Sequence, residues 1–161
     1  MPPVVSFVGR HNSGKTTLLT EVIKQLKQQD LTIAVIKHAQ HLDIDANDAG
    51  RLYSAGADQV MAASSHTLIQ YQRQESEDLI FLLNKVGPAD LIITEGFKQY
   101  HYPKIEVLRK DIDPNPLRLD NIIARVSDFD LSSYSEPVFS FEQTVELSRF
   151  LIKILGLKTN I

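Results

Sequence analysis

A short apolar run, Val4-Val5-Ser6-Phe7-Val8, leads into Gly9-Arg10-His11-Asn12-Ser13-Gly14-Lys15-Thr16, and Leu18, Leu19, Val22, Ile23 and Leu26 then follow at helical spacing. No other feature narrows the possible folds of the chain as far. The octet fits G-x-x-x-x-G-K-S/T, and a strand before it and a helix after it are the context that such a loop requires. Gly9 and Gly14 carry no Cβ, so the backbone there can turn tightly and come close to an anion. The N–H groups of His11, Asn12, Ser13, Gly14, Lys15 and Thr16 then point at phosphate oxygens, reinforced by the positive end of the helix. Lys15 is placed for the β- and γ-phosphates, the Thr16 hydroxyl for Mg²⁺, and Thr17 for the α-phosphate. The expected ligand is a nucleoside triphosphate with Mg²⁺.

Downstream, strands and helices alternate. Residues 32–37, 91–94, 104–108, 122–126 and 138–139 read as strands, and 59–63 and 67–71 as a hairpin around Ser64-Ser65-His66. Residues 48–54, 75–85 and 142–155 read as helices, the middle one ended by Gly87-Pro88. This order predicts an α/β fold, a single P-loop NTPase domain whose mainly parallel sheet has helices on both faces. In such folds ligands lie beyond the carboxyl ends of the strands.

That rule separates two acids. In Asp90-Leu91-Ile92-Ile93-Thr94-Glu95-Gly96 the acids flank one strand and stand roughly 16 Å apart. Only Glu95 falls at the carboxyl end beside the loop, where it can hold Mg²⁺ or orient an attacking water. Asp90 reads as a capping or surface acid. The stretch Lys37-His38-Ala39-Gln40-His41-Leu42-Asp43-Ile44-Asp45 also leaves the carboxyl end of a strand. Lys37, His38 and His41 are candidates for phosphate or substrate contacts, and Asp45 for the Mg²⁺ shell. Ordinary polar loop residues remain the alternative, since a dedicated transition-metal site wants three or four converging ligands.

Composition removes other classes. The 161 residues suit one domain spanning 1–161, with 158–161 as a frayed tail. A net charge of -3 offers no global field for nucleic acid or an anionic membrane. The absence of Cys rules out disulfides and thiolate chemistry and fits a cytoplasmic location. No apolar run approaches membrane-spanning length, and Met1-Pro2-Pro3 opens no signal pattern.

Lys37-His38 with His41 and Asp45, Ala55-Gly56-Ala57, Thr94-Glu95-Gly96-Phe97-Lys98 and Pro103-Lys104-Ile105-Glu106-Val107 together resemble the MobB-type adaptor proteins of molybdopterin-guanine dinucleotide biosynthesis. With the phosphate loop, the resemblance runs from about Val4 to Ser127. It implies a GTP-binding protein with weak GTPase activity, usually a homodimer. Such proteins assist a molybdenum cofactor guanylyltransferase in attaching GMP to molybdopterin. On that reading Lys15 and Thr16 hold GTP·Mg²⁺, Glu95 is the acid after the strand, and Lys98 and Lys104 line an anionic cleft. For either lysine the alternative is a solvated surface charge.

Guanine preference has no N-K-x-D signature here. Asp128 could accept from guanine N1 and N2, or could simply initiate a turn. Two further classes stay open: a small-molecule kinase, and a nucleotide-gated metal chaperone using His38, His41 and Asp45. Arg109, Arg118 and Arg125 form no recognisable kinase lid, and 5 His with no Cys is sparse for a chaperone. The long segment 110–121, with Pro114 and Pro116, could cover a ligand or meet a second subunit.

Overall fold

A computed structural model of the chain describes residues 1–159; the end of the expected frayed tail, Asn160 and Ile161, lies outside the described residues. In chain order the elements are β1 (Val4–Gly9), α1 (Lys15–Lys27), β2 (Ile33–Lys37), a single 3-10 turn (Ile44–Ala46), α2 (Asp48–Ser54), β3 (Gln59–Ala63) and β4 (Leu68–Gln72). Then come α3 (Leu79–Leu83), β5 (Leu91–Glu95), β6 (Lys104–Leu108), β7 (Ile122–Ser127), β8 (Val138–Phe139) and α4 (Thr144–Ile154). Two compact units result. One comprises Met1–His38 and the chain from Leu83 onward, the other Ala39–Leu82.

The first unit is a six-stranded sheet in the order β2-β5-β1-β6-β7-β8, with every neighbouring pair parallel. Side chains alternate between its faces because the strand period is two. One pleat presents Val5, Phe7, Ile93, Ile105, Val107 and Val126 to Leu18, Val22 and Leu26 of α1 and to Leu147 and Leu151 of α4. Each of these buried apolar side chains contributes roughly 1.5–3 kcal/mol by leaving water. The register sets Phe7 and Lys37 both beside Glu95. The ends of β1, β2 and β5 therefore meet at one edge, where α1 begins.

The other pleat carries buried polar side chains alongside buried Val4, Val8, Ile92 and Leu108. Ser6, Thr94, Lys104, Glu106, Arg125 and Ser127 lie on it, all below a tenth exposed. They are tolerated because they are paired. Thr94 Oγ1 donates to Ser6 Oγ at 2.8 Å. Arg125 Nε donates to Glu106 Oε2 at 3.0 Å, and Arg125 Nη1 to Glu136 Oε2 at 2.5 Å. Glu106 Oε1 also accepts from the Leu117 N–H at 2.5 Å. This contact, with the Arg10–Asp113 ion pair at 3.0 Å, ties down the irregular segment 110–121.

In the second unit, β3 and β4 form an antiparallel hairpin from Gln59↔Gln72 to Ala63↔Leu68. Asn47 caps α2, its Oδ1 accepting from Gly50 N at 3.0 Å, while its Nδ2 donates to Tyr71 Oη at 2.9 Å. Tyr53 stacks on Tyr71 with ring centres 5.8 Å apart. The predicted helix over 75–85 is shorter than its periodicity suggests. Asp78 Oδ1 accepts from the N–H groups of Ile80 and Phe81 at 2.9 and 3.2 Å, which starts α3 at Leu79. No helix among the described residues is long and apolar enough to cross a membrane.

Candidate nucleotide-binding site

The loop between β1 and α1 is built around its two glycines. A Cβ on Gly9 would stand 2.4 Å from the Val107 carbonyl oxygen on β6, so no other residue fits there. Gly14 is left-handed, with φ of 86°, and its carbonyl accepts from Leu18 N at 3.0 Å as the helix begins. Asn12 is also left-handed, at φ 60°. Ser13 is fully buried, and its Oγ finds no hydrogen-bond partner among the described residues. His11 and Thr17 are exposed on either side of it.

Lys15 opens α1 and folds back over the loop, donating to Arg10 O at 2.7 Å and Gly9 O at 3.3 Å. Burial holds its pKa below the usual lysine value. The Glu95 carboxylate opposes that shift and the Lys37 ammonium adds to it.

Thr16, on the first turn of α1, reaches Glu95 at the end of β5. Its hydroxyl is shared between both carboxylate oxygens, at 2.9 Å to Oε1 and 3.0 Å to Oε2. Glu95 is only 8% exposed. Lys37 closes the group: its Nζ donates to Thr16 Oγ1 at 3.2 Å and lies 3.4 Å from Glu95 Oε2. The backbone beyond β5 turns away sharply, with positive φ at both Gly96 (96°) and Phe97 (53°). A Cβ on Gly96 would meet His38 Cβ at 3.2 Å. Phe97 is buried with its ring 5.2 Å from that of His38. A left-handed aromatic is costly and persists only where its surroundings enforce it. A hydroxyl and a carboxylate converging beside a phosphate loop are hard oxygen donors of the kind Mg²⁺ takes, with phosphate oxygens completing the shell. The site residues therefore fit that ion. Asp90, at the other end of β5, caps instead, accepting from Thr32 N at 2.7 Å.

Lys104 does not line a cleft: it is fully buried at the start of β6, on the same pleat as Glu106. Its Nζ donates to Asp120 Oδ1 at 2.9 Å, Asp120 O at 3.2 Å and Tyr102 O at 3.3 Å. The carboxyl end of the strand, where ligands sit, is four residues further on. Lys98 is exposed in the turn after Phe97. Asp45 and His41 belong to the second unit, where Asp45 Oδ1 accepts from Ser54 Oγ at 2.6 Å. Among the described residues no three of His, Asp and Glu converge as metal ligands. Arg125 is committed to Glu106 and Glu136 and supplies no lid.

Asp128 follows β7, with Oδ1 accepting from Lys110 N at 2.8 Å and Oδ2 lying 3.5 Å from Arg109 Nη1. It borders an open recess of about 670 Å³ at the ends of β7 and β8, lined also by Ser127, Asp130, Ser140 and Glu142. Arg109, weighed from the sequence only as a lid arginine, and Phe141, not singled out there, are neighbours of the loop. The Arg109 guanidinium lies 3.6 Å over the Phe141 ring, and a Cβ on Gly14 would be 3.4 Å from its Nη2. The signal was available, because Arg109 directly follows the carboxyl end of β6.

The parallel sheet, with its glycine loop entering α1 and an acid ending the adjacent strand, places the chain in the P-loop NTPase fold. It belongs to the MobB family: residues 4–128 match the family described as Molybdopterin guanine dinucleotide synthesis protein B. The molybdopterin-guanine dinucleotide biosynthesis adapter protein of Escherichia coli (strain K12) is 34% identical over 143 residues, 82% of each chain. A probable adapter protein of the same name from Bacillus subtilis (strain 168) is 29% identical over 96% of this chain and 94% of its own. A crystal structure of molybdopterin-guanine biosynthesis protein B superposes with a TM-score of 0.76 at 29% identity, covering 94% of this chain and 99% of that one.

Proposed function

We propose that this chain is a GTP-binding adaptor of molybdopterin guanine dinucleotide biosynthesis, with weak GTPase activity. In this reading it works as a cytoplasmic homodimer and supports a molybdenum cofactor guanylyltransferase in attaching GMP to molybdopterin. The observation that carries the nucleotide half is the meeting of Thr16 with Glu95 beside the loop; family membership carries the pathway half.

The chemistry follows from the residues. Loop N–H groups from His11 to Thr17 cradle phosphate oxygens, and the Lys15 ammonium exchanges the carbonyls of Gly9 and Arg10 for the β- and γ-phosphates. Thr16 and Glu95 would hold Mg²⁺, which neutralises charge developing on the phosphoryl oxygens. Glu95 also has the charge to orient an attacking water. The recess at Asp128 supports guanine as the base. Its carboxylates are acceptors, and guanine presents adjacent N1–H and N2–H₂ donors, a pair that adenine lacks. Lys37, His38 and Lys98, near the end of β5, supply cationic or hydrogen-bonding groups for the phosphate of molybdopterin.

The test is a guanylylation assay with molybdopterin and the guanylyltransferase at limiting GTP. Adding the chain should raise the rate of dinucleotide formation. Equal rates with and without it would remove the adaptor role.

A further inference from the structure

Lys37 Nζ lies 3.2 Å from Thr16 Oγ1 and 3.4 Å from Glu95 Oε2, the two side chains argued above to take a divalent cation. The Thr16 hydroxyl gives its proton to Glu95 and accepts from Lys37, so the ammonium already lies against both oxygen donors that a metal ion would take. We propose that Lys37 is an exchangeable cation of the phosphate site: its ammonium and Mg²⁺ compete for the same oxygens, and the ion engages only as Lys37 withdraws.

Three features carry the exchange. Lys37 is the last residue of β2, in register with Glu95, so its stem begins beside the carboxylate on a fixed strand. Its side chain is half exposed on four rotatable carbons, which lets the head move while the backbone stays. Glu95 already has a second ammonium, Lys15, close enough for the two charges to interact, so the carboxylate keeps cationic company when Lys37 leaves. A double charge brought onto Thr16 and Glu95 would meet the Lys37 ammonium a few ångström away. Repulsion at that range is large even at the dielectric of a protein surface. The displaced ammonium moves into solvent, where half of the side chain already lies, so it contributes to GTP binding only while Mg²⁺ is absent and Glu95 needs a countercharge.

The inference rests on the nucleotide·Mg²⁺ reading for the identity of the ion, so its test has one arm without nucleotide. Lys37→Met keeps most of the stem and removes the charge; Lys37→Gln is a second neutral variant and Lys37→Arg retains the charge. In the nucleotide-free protein, millimolar Mg²⁺ should raise the melting temperature of both neutral variants more than that of the wild type. The half-saturating Mg²⁺ should fall about fivefold, the scale of a half-exposed ion pair, and Lys37→Arg should stay with the wild type. In the second arm, Lys37→Met should weaken GTP binding in chelator and leave it near wild type in Mg²⁺. The same Mg²⁺ response in all proteins, or equal weakening of GTP with and without Mg²⁺, would overturn the exchange and leave Lys37 an ordinary surface cation. A wild type that binds no GTP in either condition would instead remove the nucleotide reading, and the Mg²⁺ melting arm would still decide Lys37.

Discussion

Thr16 Oγ1 donates to both carboxylate oxygens of Glu95, at 2.9 and 3.0 Å, across a sequence separation of 79 residues. The contact joins the first turn of α1 to the end of β5. It assigns Glu95 a role that depends on charge rather than on shape. Glu95→Gln keeps the volume and the hydrogen bond and loses the charge. GTP binding in chelator should persist, while Mg²⁺-dependent phosphate release should fall by roughly 10²-fold. Turnover at the wild-type rate would move the catalytic acid elsewhere.

Lys15 makes a separate prediction. Its ammonium sits on two carbonyls of its own loop, and a bound phosphate would replace them with charged acceptors. Lys15→Ala removes a charge-assisted contact of roughly 1.5–3 kcal/mol, so GTP affinity should drop about ten- to a hundredfold by calorimetry. The fold should melt near the wild-type temperature, because Lys15 packs in no core. Unchanged affinity would contradict the phosphate cradle.

The pair Arg125–Glu106 tests the buried polar groups of the sheet. Arg125→Met leaves Glu106, 1% exposed, as a buried charge facing only the Leu117 N–H. Stranding one member of such a pair costs about 3–5 kcal/mol, readable by denaturant titration. The double variant Arg125→Met/Glu106→Gln removes the stranded charge and keeps an oxygen for Leu117. It should recover a substantial part of the loss; no recovery would mean the pair is not the coupled unit described.

Gly50 tests the second unit. It lies in α2, and a Cβ there would fall 1.5 Å from the Ile44 carbonyl oxygen, a backbone atom that cannot swing aside. Gly50→Ala should open Ala39–Leu82 to proteolysis faster than the rest of the chain, at a cost of about 1–3 kcal/mol. An unchanged digestion pattern would show that the 3-10 turn yields freely.

What the sequence revealed and what it hid have physical causes. The β1–loop–α1 segment was legible because every requirement is local: two glycines, a lysine and flanking periodicity. Glu95 was preferred over Asp90 because the strand between them, Leu91-Ile92-Ile93-Thr94, has only one carboxyl end. Lys104 misled because it starts a strand whose alternation says which face a side chain takes but not who waits there. Its partner Asp120 is 16 residues away in an irregular segment, with no periodicity to announce the contact. The Arg125–Glu106 pair is hidden for the same reason. The helix over 75–85 was drawn too long because the polar run 75–78 suits a first helical turn as well as a loop, and only the Asp78 cap shows where the helix starts.

Asp120 carries the pH prediction. Hydrogen bonds from Lys104 and then His101 hold its carboxyl down at about 2, below the unfolded carboxylate value of about 3.9. An acid depressed on folding contributes stability that is complete above its unfolded pKa and is lost as pH falls through the folded one. The window is therefore about pH 4 down to about pH 2: across it the folded chain keeps Asp120 ionised while the unfolded chain takes up the proton. Stability of the wild type should decline over that range. Asp120→Asn should be less stable at neutral pH, since it strands the buried Lys104 ammonium, but its decline between pH 4 and 2 should be shallower. Denaturant midpoints measured at half-unit intervals across the window read both effects. Parallel curves for the two proteins would show that Asp120 does not titrate as its contacts with Lys104 and His101 require.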